Sequence, residues 1–122
     1  MNVDKFCKHD RYLEQLLVIT NAAKTGHTRI GRAVQVTDIL RHKHQVADLI
    51  LSIGSTLNNY SKWASGFNLV TRLIELRIKL ECYNDRVLTR VRLQPVQTVE
   101  SFNGEIRIFQ DLVNELLDLF EN

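Results

Sequence analysis

The spacing of hydrophobic residues predicts four amphipathic helices, and the longest unbroken helical pattern runs from Asn68 to Leu93 and ends before Pro95. Apolar residues recur there every three or four positions, the period that places side chains on one face of a helix. This row is Leu69, Leu73, Leu76, Leu80, Tyr83, Val87 and Val91. A second row, Val70, Ile74 and Ile78, widens the side of the helix that we expect to be buried.

The same pattern predicts a helix on residues 3–24, followed by a stop at Gly26, and a second helix on residues 29–57. The last helix opens on residues 97–100. It could also begin only at Gly104 or Glu105, because a glycine inside a helix costs about 1 kcal/mol relative to alanine.

Four such helices joined by short loops predict an all-α fold, an up-down four-helix bundle of long amphipathic helices, in a single domain covering residues 1–122. The single proline and five glycines are few for the many turns of an all-β fold. Because the second and third helices have broad apolar faces, dimerisation could complete or extend the bundle. In that alternative, two chains share one core.

Composition favours a folded protein of the cytoplasm. The hydrophobic share of 44% and charged share of 25% are ordinary for a soluble globular domain. No apolar run approaches the roughly 20 residues that span a bilayer, and the first residues lack the apolar segment of a secretory signal. The two cysteines, Cys7 and Cys82, are far apart and favour free thiols, although one bridge stays open.

Charge is distributed unevenly along the chain. Residues 1–65 hold nine Lys/Arg and five Asp/Glu, residues 66–97 six and three, and residues 98–122 one and six. Antiparallel packing of the second and third helices would bring their basic ends together in a surface that contacts a partner or phosphates. The candidate residues are Lys24, Arg29, Arg32, Arg72, Lys79, Arg86 and Arg90. Alternatively, they are solvated outer faces paired with acids of the last helix.

Motifs for catalysis or metal binding are missing from the sequence. His42 and His44 are two positions apart, whereas zinc ligands on one helix need a spacing of three or four. We therefore expect both to be surface histidines. No E-x-x-H, Gly-rich phosphate loop or G-x-S-x-G is present. The prediction is a protein without metal or cofactor, and not an enzyme. An enzyme whose site forms only between chains is a third hypothesis.

These features favour a non-enzymatic protein–protein interaction module that acts through helix faces, as an adaptor, chaperone, inhibitor or regulatory subunit. Its expected partners are another protein and a second copy of itself in a homodimer, with no membrane. The alternative is a small nucleic-acid-binding regulator that uses the Arg-rich pole.

Overall fold

A computed structural model describes residues 11–26, 35–60, 67–88 and 99–120 of the chain. These residues form α-helices and no strand, so the prediction of an all-α fold is confirmed for them. The four α-helices are α1 (Arg11–Gly26), α2 (Val36–Tyr60), α3 (Phe67–Tyr83) and α4 (Val99–Asp118), and a π-helical turn (Asn84–Leu88) follows α3. The predictions for Cys7, Arg29, Arg32, Arg90 and Pro95 lie outside the described residues.

The helices pack around one hydrophobic cluster to which each contributes one stripe. α1 and α3 each contact both α2 and α4. Leucines dominate the cluster, and its aromatic members are Tyr83, Phe109 and Phe120. Because each stripe follows the helical period, burying it against two neighbours removes most of its apolar area from water. Fully buried members are Leu13, Leu16, Val46, Leu49, Ile53, Leu73, Phe109, Leu116 and Leu119.

The predicted apolar row of α3 is confirmed as far as Tyr83. Leu69, Leu73, Leu76, Leu80 and Tyr83 are all buried. The second row is only partly buried: Val70 packs at the edge of the core, but the expectation that Ile74 and Ile78 are buried is wrong. The physical reason is that two neighbouring helices cover only one stripe of α3 and leave this flank open.

The start of α2 also differs from the prediction of a helix beginning at residue 29. Gln35 is not helical, and its backbone N–H donates a 2.8 Å hydrogen bond to Oδ2 of Asp38. The side chain of Asp38, the third residue of α2, thereby makes one of the two hydrogen bonds of a capping box. It accepts from the backbone N–H of the residue that precedes the helix. The carboxylate is buried, and Arg41 lies 3.9 Å from its other oxygen. The α-helix begins at Val36, directly after this cap.

Two further helix boundaries differ from the predicted ones. α4 begins at Val99 and passes through Gly104 without a break, so the later start is wrong. Continuous α-helix beyond Tyr83 is wrong too, because the next five residues form the π-helical turn. Such turns widen the backbone locally and change the direction in which the following side chains point.

Two buried threonines sit among the apolar residues. The hydroxyl of Thr20 donates to the carbonyl of Leu16 at 2.6 Å, and that of Thr56 donates to the carbonyl of Ser52 at 2.9 Å. These bonds within each helix satisfy the hydroxyl groups, so burial leaves no unpaired donor. Thr56 also approaches the carbonyl of Tyr12 at 3.4 Å, so the end of α2 lies against the start of α1. None of the described helices combines the length and hydropathy of a membrane span.

Candidate functional site

His42 of α2 is buried, so the prediction that it is a surface histidine is wrong. Only 2% of its surface is exposed, whereas His44 is exposed as expected. His42 is followed at helical spacing by Val46, Leu49 and Ile53, which are all buried. The spacing that defines the apolar stripe of α2 therefore includes position 42, and this was the sequence signal for its burial.

Two hydrogen bonds join His42 to α3 and α4. Its Nε2 is bonded to the hydroxyl of Tyr83, and that hydroxyl donates to the backbone carbonyl of Glu105 at 2.9 Å. A phenol has a single proton to donate. Since that proton goes to Glu105, the Tyr83 oxygen accepts from His42, and we assign the imidazole hydrogen to Nε2. The chain of bonds links three helices through buried polar groups.

Aromatic rings enclose this polar pair. The rings of Phe109, Tyr83 and Phe102 meet the imidazole edge-on, with centroids 5.1, 5.7 and 5.9 Å away. Tyr83 is also stacked on Phe109 at 5.8 Å. Burial raises the pKa of Tyr83 far above its ordinary value, and the negative charge of Glu105 adds to the effect. The cluster therefore holds Tyr83 as a neutral donor, which is a structural role.

On the outer side of this cluster, α3 and α4 form an open groove of about 610 Å³. Its most exposed apolar residues are Ile78 on α3 and Ile108 on α4, with 53% and 49% of their surfaces exposed. One helical turn before Ile78, the exposed Ile74 extends the apolar row beyond the groove. The lining is Ile78, Lys79, Cys82, Tyr83, Arg86, Glu105, Ile108 and Leu112. We call this groove, together with Ile74, the α3–α4 face.

Charged side chains border the α3–α4 face, and their signs differ between its walls. Arg86 lies exposed on the α3 side. On the α4 side, Asp111 is exposed and is separated from Ile108 by three positions, so the two are neighbours on the helix surface. Lys79 spans the two helices, since its Nζ lies 3.6 Å from a carboxylate oxygen of Glu115. Both partners of that pair are about half exposed, so it stabilises the protein by at most about 1 kcal/mol.

Four of the basic residues selected from the sequence lie in the described part of the chain: Lys24, Arg72, Lys79 and Arg86. Arg72 and Lys79 line a charged pocket together with Glu75, Glu115 and Asp118. Arg86 belongs to the α3–α4 face, and Lys24 is exposed near the end of α1. Arg29, Arg32 and Arg90 lie outside the described residues, so their placement stays a prediction.

An acidic residue of α4, Glu115, therefore faces a basic residue of α3, Lys79. The groove itself was not predicted. The sequence signal for the groove was the second apolar row of α3, which we interpreted as buried. Periodicity defines an apolar face of a helix but does not show whether another element covers it.

Other exposed apolar residues lie elsewhere on the helices. Val18 of α1 and Leu51 of α2 are exposed by 67% and 70%. Isolated exposed residues of this kind are common on soluble proteins and need no function.

In the residues that the structure describes, no cluster of His, Cys, Asp and Glu is arranged to hold a metal ion. Cys82 is an exposed free thiol in the α3–α4 face. Comparison of the chain with protein-family models, with curated proteins and with solved structures found no match.

Proposed function

We propose that the protein is a non-enzymatic protein–protein interaction module, an adaptor, chaperone, inhibitor or regulatory subunit, and that it binds through the α3–α4 face. The observation that carries this proposal is the exposure of Ile74, Ile78 and Ile108 beside one groove, although the core is filled by other residues of the same helices. Contiguous apolar surface with a polar border is typical of a site that a partner covers.

The apolar area that a partner would cover determines how much free energy binding can gain. Burying apolar surface is favourable by about 25 cal/mol per Å², so covering two half-exposed isoleucines on opposite walls contributes on the order of 1–3 kcal/mol. A groove between two helices is also the usual seat for the apolar face of another helix, which inserts side chains at a spacing of three and four.

The buried histidine supports the non-enzymatic part of the proposal. His42 is enclosed by aromatic rings and bonded to Tyr83, so the geometry uses it to connect helices. General acid–base catalysis needs a group within hydrogen-bond reach of a substrate proton. A histidine with 2% of its surface exposed does not offer that reach.

We also propose an order for the four helices. We place the four helices in up-down order within one domain over residues 1–122. The contact of Thr56 with Tyr12 and that of His42 with Tyr83 support this order, because each joins the late part of one helix to the early part of another. The exposed free thiol Cys82 supports a place in the cytoplasm, where thiols stay reduced.

The nucleic-acid alternative has weaker support. Acidic groups beside Arg72 and Lys79 would repel phosphates. If the alternative holds, purified protein binds mixed nucleic acid at low salt, affinity falls steeply as salt rises, and the double variant Arg86→Ala/Arg90→Ala flattens that dependence. Absence of binding at low salt would remove it.

Site-specific photocrosslinking tests the proposed surface. A photoreactive amino acid replaces Ile78 or Ile108 in the α3–α4 face, and Leu51 serves as an equally apolar control outside it. After irradiation in cells, we expect protein adducts from positions 78 and 108 and few from 51. Adducts of equal yield from all three positions, or none, would contradict the proposal. The adduct's mass and peptides identify the partner.

A further inference from the structure

We infer that the α3–α4 face is covered by a second copy of this chain, through a two-fold pairing of the same face on both copies. This inference rests on the proposed function, because it uses the same surface and names the occupant. A two-fold interface is self-complementary: if one residue contacts a second, then the second contacts the first across the axis.

The apolar part of the face meets this condition. Ile78 stands on the α3 wall and Ile108 on the α4 wall, and both are about half exposed. A two-fold rotation that sets α3 of one copy against α4 of the other brings Ile78 to Ile108 of the second copy, twice. The partly buried Leu112 completes the same wall. All of the half-exposed apolar groups in the groove then find apolar partners.

The charges on the two walls of the groove favour a second copy over an unrelated helix as the partner. The charged residues that line or border the groove are Lys79 and Arg86 on the α3 side and Glu105 and Asp111 on the α4 side. A uniformly acidic helix would complement Arg86 but would meet the acids of α4, and a basic helix would have the opposite difficulty. A second copy offers α4 to α3 and α3 to α4, so both walls are complemented at once.

The most specific contact that follows is between Arg86 and Asp111 of the second copy. Arg86 is exposed at the α3 edge of the groove, and Asp111 is exposed next to Ile108. The two-fold axis creates this contact twice. Each pair lies at the rim of the interface, where charges select the partner and the orientation more than they add affinity.

Sedimentation velocity of the full chain, from about 1 to about 100 µM, tests the pairing. We expect a concentration-dependent dimer. Ile78→Arg and Ile108→Arg should each raise its dissociation constant at least about tenfold, and Leu51→Arg should leave it unchanged. A dimer that responds to Leu51→Arg and not to the other two would overturn the inference.

Charge exchange provides the second test and involves only exposed side chains. Arg86→Glu alone puts two acids face to face, and Asp111→Arg alone puts two bases face to face, so each variant should dimerise more weakly than the parent. A mixture of the two variants restores both contacts with opposite signs. Recovery of a heterodimer in the mixture supports the two-fold pairing, and a mixture that stays monomeric overturns it.

The outcomes separate this inference from the proposed function. A wild-type chain that stays monomeric at about 100 µM overturns self-pairing. If photocrosslinks from position 78 then contain a different protein, the interaction module stands and only its occupant changes. If position 78 gives no selective adduct, the proposed function fails as well. Circular dichroism of each variant confirms that it is folded before its assembly is measured.

Discussion

The imidazole of His42 is hydrogen-bonded to the hydroxyl of Tyr83, a residue 41 positions further along the chain. The same hydroxyl donates to the carbonyl of Glu105, so one buried group joins α2, α3 and α4. Tyr83 and Glu105 also line the groove on the α3–α4 face. The bond from Tyr83 to Glu105 therefore connects the two helices that form the candidate binding surface.

Removing the Tyr83 hydroxyl should destabilise the protein. In Tyr83→Phe, the Nε2–H of His42 stays buried and loses its acceptor, which costs about 1–3 kcal/mol. Urea unfolding followed by circular dichroism measures the loss. Tyr12→Phe is the matched control, because Tyr12 is exposed, and should change the free energy of unfolding by less than about 0.5 kcal/mol.

A double-mutant cycle extends this prediction to the pair. His42→Leu with Tyr83→Phe replaces both polar groups by apolar ones, so the double variant should be less destabilised than the sum of the single variants, with a coupling of at least about 1 kcal/mol. Additive effects would show that the two side chains do not interact in the folded protein.

Alkaline pH should weaken folding through Tyr83. Burial raises the pKa of its phenol in the folded state above the unfolded value of about 10. Below pH of about 9, both states keep the proton and the contribution to stability is fully present. Above pH of about 10, only the unfolded chain releases the proton, so the free energy of unfolding falls by up to about 1.4 kcal/mol per pH unit.

Comparison with Tyr83→Phe isolates this effect, since all other groups titrate in both proteins. The stability difference between wild type and variant should shrink or reverse between about pH 9 and pH 11. Absorbance at the tyrosinate band gives an independent readout, because Tyr83 should ionise only when the protein unfolds. Ionisation of all three tyrosines in the folded protein near their ordinary pKa would contradict the burial of Tyr83.

Two leucines of α2 test the assignment of the core. Leu49 is fully buried, whereas Leu51, two positions later, is 70% exposed. Leu49→Ala should lower the free energy of unfolding by about 2–5 kcal/mol, because it leaves a cavity in the core. Leu51→Ala makes the same chemical change at the surface and should cost less than about 0.5 kcal/mol. Similar costs at both positions would mean that this face of α2 is assigned wrongly.

Gly104 offers a stabilising substitution. It lies inside α4, and a Cβ added there would meet no atom within 4 Å. Gly104→Ala should therefore stabilise the protein by about 0.5–1 kcal/mol, since alanine loses less backbone entropy on entering a helix. Thermal and urea unfolding both measure the gain. A loss of stability would indicate that residue 104 is not helical in the folded protein.

The π-helical turn and the cap of α2 show where local sequence was insufficient. The pattern from Asn68 onward is helical through Val91, yet the α-helix ends at Tyr83. Apolar spacing reports the faces of a helix, and both an α-helix and a single π turn satisfy it over a few residues. Likewise, the role of Asp38 as a cap depends on the direction in which the backbone arrives at Gln35.

The sequence by itself determined the all-helical class and the apolar stripes, because a period of 3.6 residues is a local property of the chain. It also showed an excess of basic residues over residues 66–97 and of acidic residues over 98–122, and Lys79 of α3 does contact Glu115 of α4. Only the tertiary structure decided which faces are covered. His42 is buried because three aromatic rings from α3 and α4 surround it, and Ile78 is exposed because no described helix packs over it. Burial is a relation between elements, so it becomes visible only when they are assembled.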